Sequence, residues 1–192
     1  MMLAVPDQLY LIARRARRRT VPIALAGLAV GAVSGAFVAV GQPPLVALLT
    51  VAGFGASGGG LAGTFSLLPT TTQLAPDVRL PVAGLDKDSR RTLRNAVMSG
   101  RPIPSADPET AARGLHLAQL TAVYLPLALA QFLLLYVGIG GAQIPSLVAP
   151  DGSNAGLTRV VLIGLLLVAI VMTIVFTRQI RGARRYLAAA NR

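Results

Sequence analysis

The chain has 192 residues, 54% of them hydrophobic, a mean hydropathy of +0.64 and a formal net charge of +11. It has no cysteine and one His, which excludes disulfides and thiolate or His-cluster metal sites, so no cofactor or metal is expected. The charges are missing from whole stretches, which excludes an ordinary soluble domain. Thr20 to Pro76 contains no Asp, Glu, Lys, Arg or His, Gly114 to Pro150 only His116, and Val160 to Thr177 none. About 20 apolar residues of helix cross about 30 Å of hydrocarbon. The pattern predicts an all-α integral membrane protein with four transmembrane helices, both termini cytoplasmic, and a small helical cytoplasmic segment between spans two and three.

The N-terminal arm, residues 1–20, holds Arg14, Arg15, Arg17, Arg18 and Arg19. Asp7 after Pro6 predicts a short interfacial helix from about Gln8, whose long Arg stems lie along the apolar boundary. The apolar run that follows exceeds the about 7–15 residues of a cleaved signal, so it is read as a retained first span, Val21–Val40. Gly41-Gln42-Pro43-Pro44 is a turn too short for anything but an antiparallel hairpin. Span two is expected over Leu45–Leu68, ended by Pro69 and three threonines. Residues 21–68 thus form a Gly-rich hairpin.

Residues 69–113 are the one sizeable polar segment, irregular at its start. A helix is expected from Lys87 to Ser99. Asp86 is its N-cap, Asp88 lies in its first turn and Gly100 closes it. Leu93 and Val97 share one face; Arg90, Arg91 and Arg94 occupy another. Pro102 and Pro104 stop it, and Asp107-Pro108-Glu109 starts another helix. Only Gly114 interrupts the way into span three, Ala118–Gly140, so one rod from Pro108 into the membrane is expected, kinked at Pro126. Pro145, Pro150, Asp151-Gly152 and Asn154 mark a second outer loop. Span four runs from Thr158 to Thr177, its helix continuing through Arg178, Arg181, Arg184 and Arg185. Residues 114–192 form this second hairpin and basic tail.

Seventeen of the 18 Lys and Arg fall in the arm, the middle segment and the tail; the exception is Arg159. The positive-inside rule then places both ends and the middle segment in the cytoplasm. The basic excess is read as a topology signal and an affinity for anionic lipids rather than for nucleic acid. The middle segment has no aromatic residue on which bases could stack. Arg outnumbers Lys 17 to 1, and Ala and Gly are abundant, as in GC-rich bacterial genomes.

Gly27, Gly31 and Gly35 in span one, and Gly55, Gly59 and Gly63 in span two, form ladders of small residues at every fourth position. Such ladders let backbones approach closely. Either the two spans zip onto each other or a ladder faces a helix of another subunit. Gly53, Gly58 and Gly60 widen the small surface of span two, which argues for a second partner. Tyr124 and Gln131, seven apart in span three, either line a polar path or bond a neighbouring helix. Ser34 and Thr173 are expected to bond their own helix carbonyls. His116, at the inner mouth of span three, is read as an interfacial residue, with a proton-handling role as the alternative. Arg90, Arg91, Arg94 and Arg101 are candidate contacts to lipid phosphates or a partner, against a plain solvated surface.

No H-E-x-x-H, Walker loop or G-x-S-x-G occurs, and no ionisable side chain lies within the spans where a pump would need one. The chain is therefore not expected to be an enzyme. The stretch Leu85–Pro104, ending in Gly100-Arg101-Pro102-Ile103-Pro104 and followed by Ala111-Ala112-Arg113, resembles a recurring element of small four-span actinobacterial membrane proteins. In these, a basic helix leads into a helix continuous with a transmembrane span. The resemblance covers about 30 residues and, more loosely, the layout. It implies an accessory subunit of a lipid importer of the mammalian-cell-entry (Mce) type. The expected role is a non-catalytic subunit of a larger bacterial inner-membrane complex with permease-like partners. The alternatives are a homo-oligomeric transporter or channel and an adaptor that reads anionic lipid.

Overall fold

The structure, a computed structural model, describes residues 6–103, 107–148 and 155–190. Five α-helices follow in chain order: α1 (Pro6–Val38), α2 (Pro44–Asp77), α3 (Lys87–Ser99), α4 (Pro108–Gly141) and α5 (Ala155–Ala190). Single 3-10 turns lie at Leu80–Val82 and Ile144–Leu147, and no strand occurs among the described residues. Four helices, α1, α2, α4 and α5, are long and apolar enough to cross a membrane. The protein is thus an all-helical, multi-pass membrane protein. Pro104, Pro150, Asp151, Gly152 and Asn154 lie outside the described residues.

Two expected boundaries are not seen. No separate interfacial helix precedes span one, because α1 runs unbroken from Pro6 through the Arg cluster to Val38. Arg is a good helix former, and nothing between Gln8 and Thr20 breaks the backbone ladder. Nor does Pro69 end span two, since α2 continues through Pro69 to Asp77. A proline removes one backbone donor and crowds one carbonyl, a local defect that helices in membranes tolerate. Thr72 Oγ1 donates to the Pro69 carbonyl at 3.0 Å one turn further on. The expected irregular stretch shrinks to residues 78–86, which contain the 3-10 turn.

The chain folds as two compact units. One gathers the described residues of 16–68 and 130–172. Its α1–α2 turn is closed by Gly41 at φ 82° and by Gln42, whose Nε2 donates to the Val38 carbonyl at 3.1 Å. The Thr50 hydroxyl, 2% exposed, lies 2.9 Å from Gln42 Oε1 and 2.8 Å from the Val46 carbonyl. At the other end of the hairpin, Ser66 Oγ donates to Thr20 Oγ1 at 2.9 Å, and Thr20 donates to the Ala16 carbonyl. Polar side chains therefore fasten both ends of an otherwise apolar hairpin.

The second unit gathers the described residues of 1–15, 69–129 and 173–190. Its core holds Val82, Leu93, Val97, Leu117, Ala118, Ala122, Ala183 and Tyr186. Here α3 lies against the start of α4 and the end of α5. Asp86 caps α3 by accepting from the Ser89 N–H at 3.4 Å, and Gly100 ends it at φ 74° in the left-handed region. The Arg101 N–H reaches back to the Ala96 carbonyl at 3.1 Å, a Schellman closure. Asp107 Oδ1 accepts from the Thr110 N–H at 2.7 Å and starts α4.

Hydrogen bonds from Ser89, and likewise from Thr110, hold the Asp86 and Asp107 carboxyls below the ordinary value of 3.8. A lowered native value means that the caps contribute fully above about 3.8 and are lost as the pH falls through the native values. Protection factors of the Ser89 and Thr110 amides, taken against the pH-dependent intrinsic rate, are therefore expected to hold from neutral pH to about 3.8 and to fall below that. Equal protection well below that pH would contradict the caps.

Candidate functional site

The six ladder glycines sit where α1 meets α2. A methyl group added to Gly27 would lie 2.5 Å from the Gly58 carbonyl oxygen, and one on Gly31 would strike the Phe54 carbonyl. One on Gly35 would stand 2.9 Å from the Val51 Cα. From the other side, Gly59 faces the Ala24 carbonyl at 3.0 Å and Gly55 the Ala32 Cβ at 3.4 Å. Gly63 faces Ala24 Cβ at 3.4 Å and also Leu134 Cδ1 of α4 at 2.9 Å. The partners rise along α1 as they descend along α2, which makes the pair antiparallel. Backbones this close gain dispersion contacts along their whole length, the main source of helix association where lipid is as apolar as Leu.

The extra small residues of span two have partners within the chain. Gly60 packs on α4, where an added methyl would lie 2.5 Å from both the Gly138 nitrogen and the Leu134 carbonyl oxygen. Gly53 meets the Gly141 carbonyl, and Gly58 returns to Gly27. Ser57, on the same face, donates to the Gly138 carbonyl at 2.6 Å. Thr64 donates to the Gly60 carbonyl at 2.8 Å and lies 3.5 Å from the Gln131 carbonyl. α2 is thus the shared middle helix, flanked by α1 on one side and α4 on the other. Gly53, Gly58 and Gly60, read from sequence as the reason to expect a foreign helix, are covered by α1 and α4.

Replacing Ser57 by Ala removes the α2–α4 hydrogen bond and is expected to cost about 0.6–2 kcal/mol in detergent-induced unfolding. An unchanged midpoint would show that the bond contributes nothing measurable.

Several polar groups of the spans are engaged within the chain. Ser34 Oγ donates to its own helix at the Val30 carbonyl, 3.0 Å away, as expected. Tyr136 stacks at a tilt on Phe132, with ring centroids 5.2 Å apart. No buried side-chain nitrogen or oxygen among the described residues lacks a partner. A cavity of this unit, about 480 Å³, is apolar and lies between α4 and α5, bordered by Leu133, Tyr136, Val137, Leu162, Leu166 and Ala169 among others. α5 itself buries none of its most apolar window, and Leu166 is 61% exposed. His116 is half-buried at the start of α4.

On α3 the structure gathers Lys87, Arg90, Arg91 and Arg94 round a shallow depression of about 220 Å³, with Asn95 and Met98. Arg101 follows the Gly100 cap and does not line it. Lys87 and Met98 were missing from the sequence-based candidates, although their spacing of three, four, seven and eleven from Lys87 places them with the arginines. Arg90 Nη2 donates to the Leu85 carbonyl at 3.3 Å. By contrast Arg113 pairs with Glu109 at 2.6 Å and also donates to the Ala83 carbonyl. No family model, curated protein or solved structure matches the chain.

Proposed function

We propose that the protein is a non-catalytic accessory subunit of a larger complex in a bacterial inner membrane, with both termini and residues 69–113 in the cytoplasm. The observation that carries the reading is the membrane interior. There α1 meets α2, and α2 meets α4, through glycine-to-backbone contacts between the chain's own helices, and the hydroxyls of Ser57, Thr64, Ser66 and Thr20 are bound to carbonyls or to one another. Such an interior suits a scaffold better than a conduit, which needs ionisable groups or a wet passage. The orientation is supported by the 17 of 18 Lys and Arg on one side of the predicted topology. The class of complex, a lipid or cell-envelope transporter of the Mce type, is what the resemblance at Leu85–Pro104 implies.

With the ladders occupied inside the chain, permease-like partners meet the outer faces. These carry Phe37, 76% exposed, and Val30 on α1, and Val160 and Ile163 on α5. Gentle extraction of tagged protein should recover a permease or ATPase subunit in fixed proportion. Recovery solely as a monomer or homo-oligomer would contradict the reading. The competing transporter or channel reading predicts solute flux from the purified chain in liposomes, whereas an accessory subunit leaves the vesicles inert.

A further inference from the structure

Three facts about α3 bear on what its basic face touches. Its depth is fixed by what it packs on. The core residues Leu93 and Val97 share a cluster with Leu117 and Ala118 of α4 and Ala183 and Tyr186 of α5. The apolar run of α4 begins at Ala118, and that of α5 ends at Thr177. At 1.5 Å of rise per residue, the contacts on α4 lie within about 6 Å of the apolar run and those on α5 within about 14 Å. The headgroup layer outside the hydrocarbon is about 5–8 Å thick on each side. The contacts on α4 thus fall at headgroup level and those on α5 reach just outside it, which places α3 at the membrane surface, whichever leaflet that is.

The second fact is charge. Lys87, Arg90, Arg91 and Arg94 form one depression, and Lys87, Arg91 and Arg94 make no ion pair among the described residues. Asp86 is engaged with Ser89 and Glu109 with Arg113. Asp88 stands at the edge of the patch, about 60° round the helix from Arg91 at 100° per residue, and makes no ion pair with it. The third fact is the apolar tip of the patch. Met98, 40% exposed, stands among the cations, which suits a boundary between phosphate and acyl chain better than open water. At 100° per residue Lys87 and Arg91 lie about 80–160° round the helix from Leu93 and Val97 and Arg94 about 60–100°, while Arg90 stands beside Val97 at the edge of the docked side, so the basic face borders the packed side and turns away from it.

We propose that Lys87, Arg90, Arg91 and Arg94 form a site for the phosphate of an anionic lipid headgroup. The proposal rests on the four-span reading and is independent of which complex the subunit serves. Arg offers paired N–H donors to phosphate oxygens, and the neighbouring charges act within the Debye length of about 8 Å. Single-stranded nucleic acid fits poorly, because the segment has no aromatic platform and sits at the membrane.

The test uses the purified full-length chain in mild detergent, followed by native mass spectrometry. It is titrated with phosphatidylglycerol, phosphatidylcholine or inorganic phosphate, and compared with Lys87→Gln/Arg90→Gln/Arg91→Gln/Arg94→Gln. The wild type should retain phosphatidylglycerol over phosphatidylcholine. At about fivefold per cation, the variant should lose at least about tenfold of that preference, with phosphatidylcholine retention unchanged. Resistance of the variant to detergent-induced unfolding shows whether it is folded. No phosphatidylglycerol preference in the wild type overturns the proposal whatever the variant does, as does a preference that the folded variant keeps. Displacement of bound phosphatidylglycerol by an equal concentration of inorganic phosphate would reassign the site to a free anion and overturn the lipid.

Discussion

Gly31→Leu is expected to destabilise the protein by about 3 kcal/mol, the upper end of the range for overpacking. The reason is geometric. Even a methyl group at this position strikes the Phe54 carbonyl and comes within 3.2 Å of the Gly55 Cα. Both obstacles are main chain, which cannot rotate away as a side-chain tip can. α1 must therefore move off α2, losing contacts at Gly27 and Gly35 as well. The matched control is Gly164→Leu on α5, where an added Cβ meets nothing within 4 Å. The same change of residue there is expected to leave the unfolding midpoint within about 0.5 kcal/mol of wild type. Detergent-induced unfolding followed by circular dichroism gives both values. Equal effects at the two positions would contradict the packing described for α1 and α2.

Leu93→Ala is expected to undock α3 at a cost of about 2–5 kcal/mol, the usual range for a buried Leu truncated in a packed core. Leu93 is 1% exposed and is the largest of the fully buried side chains. It lies against Gly114, where an added methyl would come within 3.2 Å of its Cδ1. The void it leaves cannot be refilled from a neighbouring Gly or Ala. Trypsin supplies the readout, because Arg90, Arg91 and Arg94 all lie on this helix and cleavage requires it to open. A loss of 2 kcal/mol raises the open population about thirtyfold, and cleavage between Lys87 and Arg101 should accelerate at least that much. An unchanged cleavage rate would show that α3 is not held by this core.

What the sequence makes legible is local. α3 runs from Lys87 to Ser99 as expected, because Asp86 and Gly100 mark its ends with residues whose chemistry permits little else. The continuous rod from Pro108 through Pro126 to Gly141 follows from Asp107 at its start. The passage of α2 through Pro69 is not legible, because a proline shows which bond is lost but not whether tertiary packing keeps the helix going. The second face of α2 is half legible. Gly53, Ser57, Gly60 and Thr64 visibly form a small-residue stripe, yet its partner depends on which helix the fold brings alongside. Gly138, near the end of the span read as Ala118–Gly140, and Gly141, just beyond that expected end, are that partner. Their spacing of three at the helix end was the available signal. The basic face of α3 is legible in its residues but not in its depth, which Gly114, Ala183 and Tyr186 fix only once the chain is folded.

The central claim is that the small-residue faces close within one chain. The chain has no cysteine, so a designed pair reports without background. Ala32 Cβ lies 3.4 Å from where a Cβ on Gly55 would stand, close to the roughly 3.5–4.5 Å that a disulfide spans. Ala32→Cys with Gly55→Cys, oxidised in native membranes, is expected to give a bridged monomer that reverts on reduction, with no dimer from either single variant. Covalent dimers from the pair, without a bridged monomer, would mean that the glycine faces meet another chain.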